Sequence, residues 1–104
     1  MRIYLEESGF SVKNDLCLQC KSWTDIAKVD KKVMLSSLQK LDDDNIDALI
    51  QVGTNLPMAS FAEEFEKSFQ KPIIPINTAT YWDALRQNDI PDKVKGFGKL
   101  LSEY

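Results

Sequence analysis

Between Ile46 and Val52 the chain carries Ile46, Ala48, Leu49, Ile50 and Val52, a short and nearly continuous apolar run. Strands buried on both faces of a parallel sheet read this way, whereas a strand with one wet face alternates. The run closes on Gly53-Thr54-Asn55, and Pro57 then suits the first turn of a helix. Met58, Phe61, Ala62, Phe65 and Phe69 follow at i, i+3, i+4, i+7 and i+11, the stripe of an amphipathic helix that faces a core. At that spacing core packing explains the aromatics better than a ligand box. Glu63, Glu64 and Glu66 read as the solvated face of the same helix.

The flanking segments repeat the alternation. Residues 1 to 8 look helical and end at Gly9, a suitable C-cap. Phe10 to Leu18 alternates weakly through Phe10, Val12, Leu16 and Leu18 and reads as a strand. Residues 21 to 29, with Trp23 and Ile26, form a connection. Asp30 is an N-cap for a helix reaching about Leu41, with Met34, Leu38 and Leu41 at helical spacing. Asp42-Asp43-Asp44 reads as a solvated loop, since acids at a helix C-terminus oppose its dipole. Residues 72 to 76 form a third strand, and Asn77 or Thr78 caps a helix carrying Tyr81, Trp82 and Leu85. Pro91 opens a last helical stretch with Val94, Phe97 and Leu101. The expected order is α-β-α-β-α-β-α-α, with parallel strands near 10–18, 46–53 and 72–76. That order implies an α/β fold, a three-layer sandwich about a short parallel sheet. With 104 residues, the whole span 1–104 is expected to form a single domain.

The remaining composition narrows the function classes. The net charge is −3 and no Lys/Arg-rich stretch offsets it, so no nucleic-acid partner is expected. No apolar run approaches the roughly 20 residues of a membrane span. The opening Met1-Arg2-Ile3-Tyr4-Leu5-Glu6-Glu7 has acids where a signal peptide needs an apolar stretch, which points to the cytoplasm. Cys17 and Cys20 form a lone C-x-x-C with no second pair and no histidine, so no metal site is expected. The pair reads as reduced cysteines, with Cys17 buried inside a strand.

In open α/β sheets ligands bind beyond the carboxyl ends of the strands. The tips are Gly53-Thr54-Asn55 and Asn77-Thr78, each expected to lead into a helix N-terminus whose free N–H groups suit an anion. Neither loop has the glycine-rich length of a dinucleotide or P-loop site, so a small carboxylate is the natural ligand. The alternative is that Thr54, Asn55 and Asn77 merely cap helices. The absence of histidine excludes a Ser-His or Cys-His couple, and no paired carboxylates converge. The residues alone lead to a small α/β domain with a carboxylate pocket.

Asp47-Ala48-Leu49-Ile50-Gln51-Val52-Gly53-Thr54-Asn55-Leu56 resembles the strand-to-loop motif of the aspartate/glutamate racemase superfamily, in its arylmalonate decarboxylase and maleate cis-trans isomerase branch. That motif normally ends in Cys-Thr-Asn-Leu or Cys-Gly-Gly-Leu. Lys71-Pro72-Ile73-Ile74-Pro75-Ile76-Asn77, Ala79-Thr80-Tyr81-Trp82-Asp83-Ala84-Leu85-Arg86 and Gly96-Phe97-Gly98-Lys99-Leu100-Leu101 are similar to three further motifs of that branch, in the same order. Tyr4-Leu5 to Gly9-Phe10 and Asp25-Ile26-Ala27 also fit.

The resemblance implies half of a two-domain, pseudosymmetric racemase-like fold, whose halves face each other across a cleft. It implies cofactor-independent chemistry beside a carboxylate, by racemisation, decarboxylation or cis-diacid isomerisation, with a thiolate as acid, base or nucleophile. The strand-tip rule makes Gly53, Thr54, Asn55 and Asn77 the expected substrate-binding residues, and the resemblance adds Trp23 and Ile26 as an apolar wall. Gly53 stands where the family places its cysteine, so no catalytic residue is expected. The family's N-terminal half, and the strand that opens its C-terminal half, have no counterpart in these residues. Three readings follow. The chain is a truncated or split family member without catalysis of its own. Or it is a subunit that completes a site by self-association or with a separately encoded N-terminal half. Or it is an unrelated α/β interaction module.

Overall fold

Pairing of Leu49 with Ile73, Ile50 with Ile74 and Gln51 with Pro75 sets two short strands parallel, β1 (Leu49–Gln51) and β2 (Ile73–Pro75). The computed structural model describes residues 2–104. Around the sheet run α1 (Arg2–Glu7), α2 (Trp23–Ala27), α3 (Lys31–Leu41), α4 (Ala62–Phe69), α5 (Ile76–Gln87) and α6 (Lys99–Glu103), with a 3-10 turn at Ala59–Phe61 before α4. Among the described residues no helix is long and apolar enough to cross a membrane.

Local chemistry sets most of these boundaries. The Asp30 carboxylate accepts from Val33 N at 2.9 Å and starts α3. Gly9, at φ +97, ends the first helical segment in the left-handed region, while Phe10 N donates to Leu5 O at 3.0 Å. Met34 and Leu38 of α3 meet Leu49, Leu56, Met58, Ala62, Phe65 and Ile73 in one core. Full burial of Phe65 or Ile73 is worth about 1.5–3 kcal/mol for each side chain.

Several expectations are corrected. The strand expected at 10–18 does not form; among the described residues, 11–20 make no backbone–backbone hydrogen bond. A strand needs a neighbour for its N–H and C=O groups, and this segment has none. Cys17 is therefore exposed rather than buried, Cys20 is half-buried, and both are free. The connection at 21–29 holds the short helix α2, capped by the Ser22 hydroxyl, which accepts from Asp25 N at 3.2 Å. Burial on β1 is one-sided. Leu49 and Gln51 are buried, but Ile50 is 46% and Val52 45% exposed. Pro57 precedes a turn rather than a helix, which begins at Ala59 in 3-10 form. The Asp42 loop is not wholly solvated, because Lys71 Nζ pairs with Asp42 and donates to Asp43 O at 2.9 Å. Pro91 opens no helix. Gly96 and Gly98, at φ +100 and +99, interrupt the segment, and only Lys99–Glu103 is helical.

The largest correction is Glu66. Its side chain is not on a solvated face; the residue is 7% exposed. Its Oε2 accepts from Ile73 N at 3.1 Å and its Oε1 from Lys99 N at 2.8 Å. One carboxylate thus joins α4, the start of β2 and the start of α6. Gly98 makes room for it, since a Cβ there would lie 3.0 Å from Glu66 Oε1. The glycine of the Gly96-Phe97-Gly98 motif is thereby explained by a close approach and a positive φ together.

Glu66→Ala is expected to lower stability by about 1.5–3 kcal/mol for each of the two charge-assisted bonds lost. Glu66→Gln, which keeps one accepting oxygen, should fall between that variant and the parent, and Gly98→Ala should also destabilise. Urea denaturation measures all three. A Glu66→Ala chain within about 0.5 kcal/mol of the parent, the range of an ordinary surface change, would show that the carboxylate is not a tie.

Candidate functional site

Because β1 and β2 are parallel, their carboxyl ends lie at the same end of the sheet. The chain leaves β1 through Val52, Gly53 and Thr54, and leaves β2 straight into α5. Asn77 Nδ2 donates to Thr54 O at 2.9 Å and ties the two tips together. The buried Gln51 side chain donates through Nε2 to Gly53 O at 2.7 Å, and Leu56 N donates to the same oxygen at 3.3 Å. Asn55 Nδ2 reaches Trp23 O at 3.4 Å, which brings α2 to the same rim.

Thus Gly53, Thr54, Asn55 and Asn77 gather at one end of the sheet, with α2 beside them. The Trp23 side chain projects outward, 81% exposed, while Ile26 packs against the core. Thr54, Asn55 and Asn77 are themselves exposed, so their polar groups are accessible.

Neither Asn77 nor Thr78 caps α5. Pro75, with φ −70 and ψ 144, occupies the N-cap position and makes no side-chain cap bond. The first turn of this helix, Ile76–Gln87, therefore keeps free N–H groups at the positive end of its dipole. The 53–55 loop does not lead directly into a helix, because Ala59–Phe61 intervenes as a 3-10 turn. The dipole contribution at this rim comes from α5.

Of two buried polar groups near this rim, Thr78 is expected from the sequence as a helix cap at a strand tip, and Gln51 is assigned no role. Gln51 Oε1 and Thr78 Oγ1 are buried without a hydrogen-bond partner among the described residues. The available signal was a lone polar residue inside an apolar run at Gln51, and a threonine on the inner side of α5.

Gly53 has φ +108, a conformation that side chains rarely adopt. Space is not the obstacle; a Cβ there would have its nearest neighbour, Gln51 Nε2, at 3.8 Å.

Residues 1–101 match the arylmalonate decarboxylase family. The chain belongs to this family. A maleate isomerase from Nocardia farcinica (strain IFM 10152) is 29% identical over 101 residues, which are 96% of this chain and 40% of that protein. The solved Nocardia farcinica maleate cis-trans isomerase, as a cysteine-to-serine mutant with a covalently bound succinylcysteine intermediate, superposes with TM-score 0.93 at 27% identity. That match covers 99% of this chain and 42% of the isomerase chain. The same enzyme bound to TRIS gives TM-score 0.90 at 27% identity, over 95% of this chain and 41% of that one. The chain thus spans about 40% of the length of the relatives it matches. Its α/β fold with a short parallel sheet corresponds to half of a racemase-like fold, and the family match removes the reading as an unrelated interaction module.

Gly53→Ala is expected to cost about 1–3 kcal/mol through the backbone alone, since the methyl group has room. Asn77→Ala, which frees the two strand tips from each other, should cost about 0.5–1.5 kcal/mol. Chemical denaturation of both variants measures the losses, and a Gly53→Ala chain as stable as the parent would mean that the positive φ is not held.

Proposed function

We propose that this chain forms one wall of a site for small carboxylic acids of the maleate isomerase and arylmalonate decarboxylase kind, and that it has no turnover until the opposite wall is supplied. The observation that carries this reading is the junction of the strand tips, Asn77 Nδ2 on Thr54 O at 2.9 Å, beside the uncapped first turn of α5. A carboxylate at that junction accepts hydrogen bonds from main-chain N–H groups, favoured by the helix dipole. The Thr54 hydroxyl and the Asn55 and Asn77 amides add donors, and Gly53 lets the acid approach the backbone. Trp23 and Ile26 flank the apolar part of the acid.

Proton transfer or attack at the carbon beside a carboxylate needs a group within hydrogen-bond reach of that carbon. The solved relative carries a succinylcysteine intermediate, so a thiol acts on carbon in that enzyme. By the resemblance of the Asp47–Leu56 motif, Gly53 holds the corresponding slot, and glycine can neither move a proton nor attack carbon. Restoring a thiol supplies one group only. The opposite wall excludes water and carries further anion-stabilising donors, each worth about 2.7–4 kcal/mol where such donors have been removed.

The test assays the parent chain and Gly53→Cys against aryl malonates, maleate and aspartate. Each is tried alone and mixed with the separately produced N-terminal half of the Nocardia farcinica enzyme. Neither form should turn over alone, and the Gly53→Cys chain should do so only after mixing. Turnover by the parent chain alone overturns the need for a second wall. Absence of turnover from the mixed Gly53→Cys chain, once the halves are shown to be bound, removes the site assignment.

A further inference from the structure

Gln51 interrupts the apolar stretch 48–52. The residue is 7% exposed, and its Oε1 is buried without a partner among the described residues. Burying an amide oxygen unpaired costs free energy, and an apolar side chain of the same shape would pack there without that cost. Packing alone therefore gives no reason for an amide at this position.

The reason lies at the other end of the amide. Gln51 Nε2 donates to Gly53 O at 2.7 Å, and Leu56 N donates to the same oxygen at 3.3 Å. Both donors belong to buried residues, so the carbonyl is drawn inward. Among the described residues no peptide bond is cis. A planar trans peptide points its C=O and N–H in opposite directions. With Gly53 O drawn in, Thr54 N–H points out toward the rim. No backbone oxygen among the described residues accepts from it. The next carbonyl, Thr54 O, is held by Asn77 Nδ2 at 2.9 Å, so this N–H sits between two fixed carbonyls. Gln51 also borders the slot at residue 53. Its Nε2 is the nearest group to a Cβ built on Gly53, at 3.8 Å, and both residues line a cleft of about 490 Å³ beside β1.

We propose that Gln51 is the positioning residue of this rim: by holding Gly53 O it turns Thr54 N–H outward as a ready donor to a ligand carboxylate. The orientation stands on the hydrogen bonds alone; the carboxylate as ligand rests on the proposed function. A donor fixed before the ligand arrives needs no reorganisation when the charge is met. Glycine is conformationally permissive, so without the amide the Gly53–Thr54 peptide would sample other directions. A purely structural Gln51 would only tie β1 to the loop that follows it, and losing it would cost stability without turning Thr54 N–H.

Nuclear magnetic resonance of the isotope-labelled full chain tests the proposal. In the parent, a scalar coupling across the hydrogen bond should link Gln51 Nε2 to the Gly53 carbonyl carbon. Residual dipolar couplings give the direction of Thr54 N–H. Gln51→Met keeps the length of the side chain and removes the donor; Gln51→Leu, also without a donor, repeats the comparison. Each variant should melt like the parent and yet turn Thr54 N–H away from its direction in the parent. Affinity for maleate and for phenylmalonate is read from the Thr54 amide resonance, with the chain alone and mixed with the unlabelled N-terminal half of the Nocardia farcinica enzyme. The variants should bind at least about tenfold more weakly, the lower bound for one lost hydrogen bond to a charged group. Absence of the coupling in the parent overturns the inference, as do variants whose Thr54 N–H keeps the parent direction. Reorientation with unchanged affinity overturns the role in binding. A parent chain that binds neither probe, alone or mixed, counts against the proposed carboxylate site and removes the role in binding, while the coupling and the N–H direction still decide whether Gln51 aims the peptide.

Discussion

The carboxylate of Glu66 is the point on which this small structure turns. It is buried on the inner side of α4, and its two oxygens accept from Ile73 N and Lys99 N. The first bond fixes where β2 begins relative to α4, and so the register in which β2 meets β1. The second fixes the start of α6, whose Leu101 is buried at 3% exposure. A Cβ at Gly98 would lie 3.0 Å from this carboxylate's Oε1, so a side chain there would press on Glu66. A buried carboxylate is costly unless its oxygens are satisfied. Here the partners are main-chain donors that the flanking segments would otherwise leave unpaired.

Elements closed by local chemistry were legible in the sequence. Asp30 announces α3, Gly9 ends the first helical segment, and the apolar runs near 49 and 73 mark the two strands that pair. The gathering of Gly53, Thr54, Asn55 and Asn77 followed from the rule that parallel strands open their carboxyl ends together. Where the reading went astray, the deciding partner was distant in sequence. Glu66 looked like one of three surface acids, because its acceptor role depends on residues 7 and 33 positions away. The 10–18 segment has strand periodicity, but periodicity describes side chains and not whether a neighbour is present to bond the backbone. Pro75 displaced Asn77 and Thr78 as the cap of α5, since the chain passes from β2 to helix without a linking loop.

Arg86 shows how a family motif can serve structure rather than chemistry. Its Nε donates to Tyr104 O at 3.1 Å, and its Nη1 donates to Ile90 O at 2.8 Å and Asp92 O at 3.2 Å. Its guanidinium also lies 5.7 Å from the centre of the Trp82 ring. Arg86, lying over Trp82, therefore ties Ile90, Asp92 and the C-terminal Tyr104 to α5. The non-helical 88–98 stretch carries Gly98 to Glu66, so the last two motifs of the resemblance converge on the same tie.

The strand tips and the open edge share one cause. A parallel sheet creates a binding rim only at its carboxyl ends, and it is stable only when its strands are flanked on both edges or covered. Two strands of three residues satisfy the first condition at Gly53, Thr54 and Asn77 and leave the second unmet along Ile50 and Val52. The half-exposure of those two side chains, the unpaired 11–20 segment and the exposed Phe10 and Leu16 are therefore not separate irregularities. Leu16, Ile50 and Val52 all line one cleft beside the unpaired edge of β1. Gly53 lies two residues past the end of β1 and also lines the cleft, so the rim and the free edge share one short stretch of backbone.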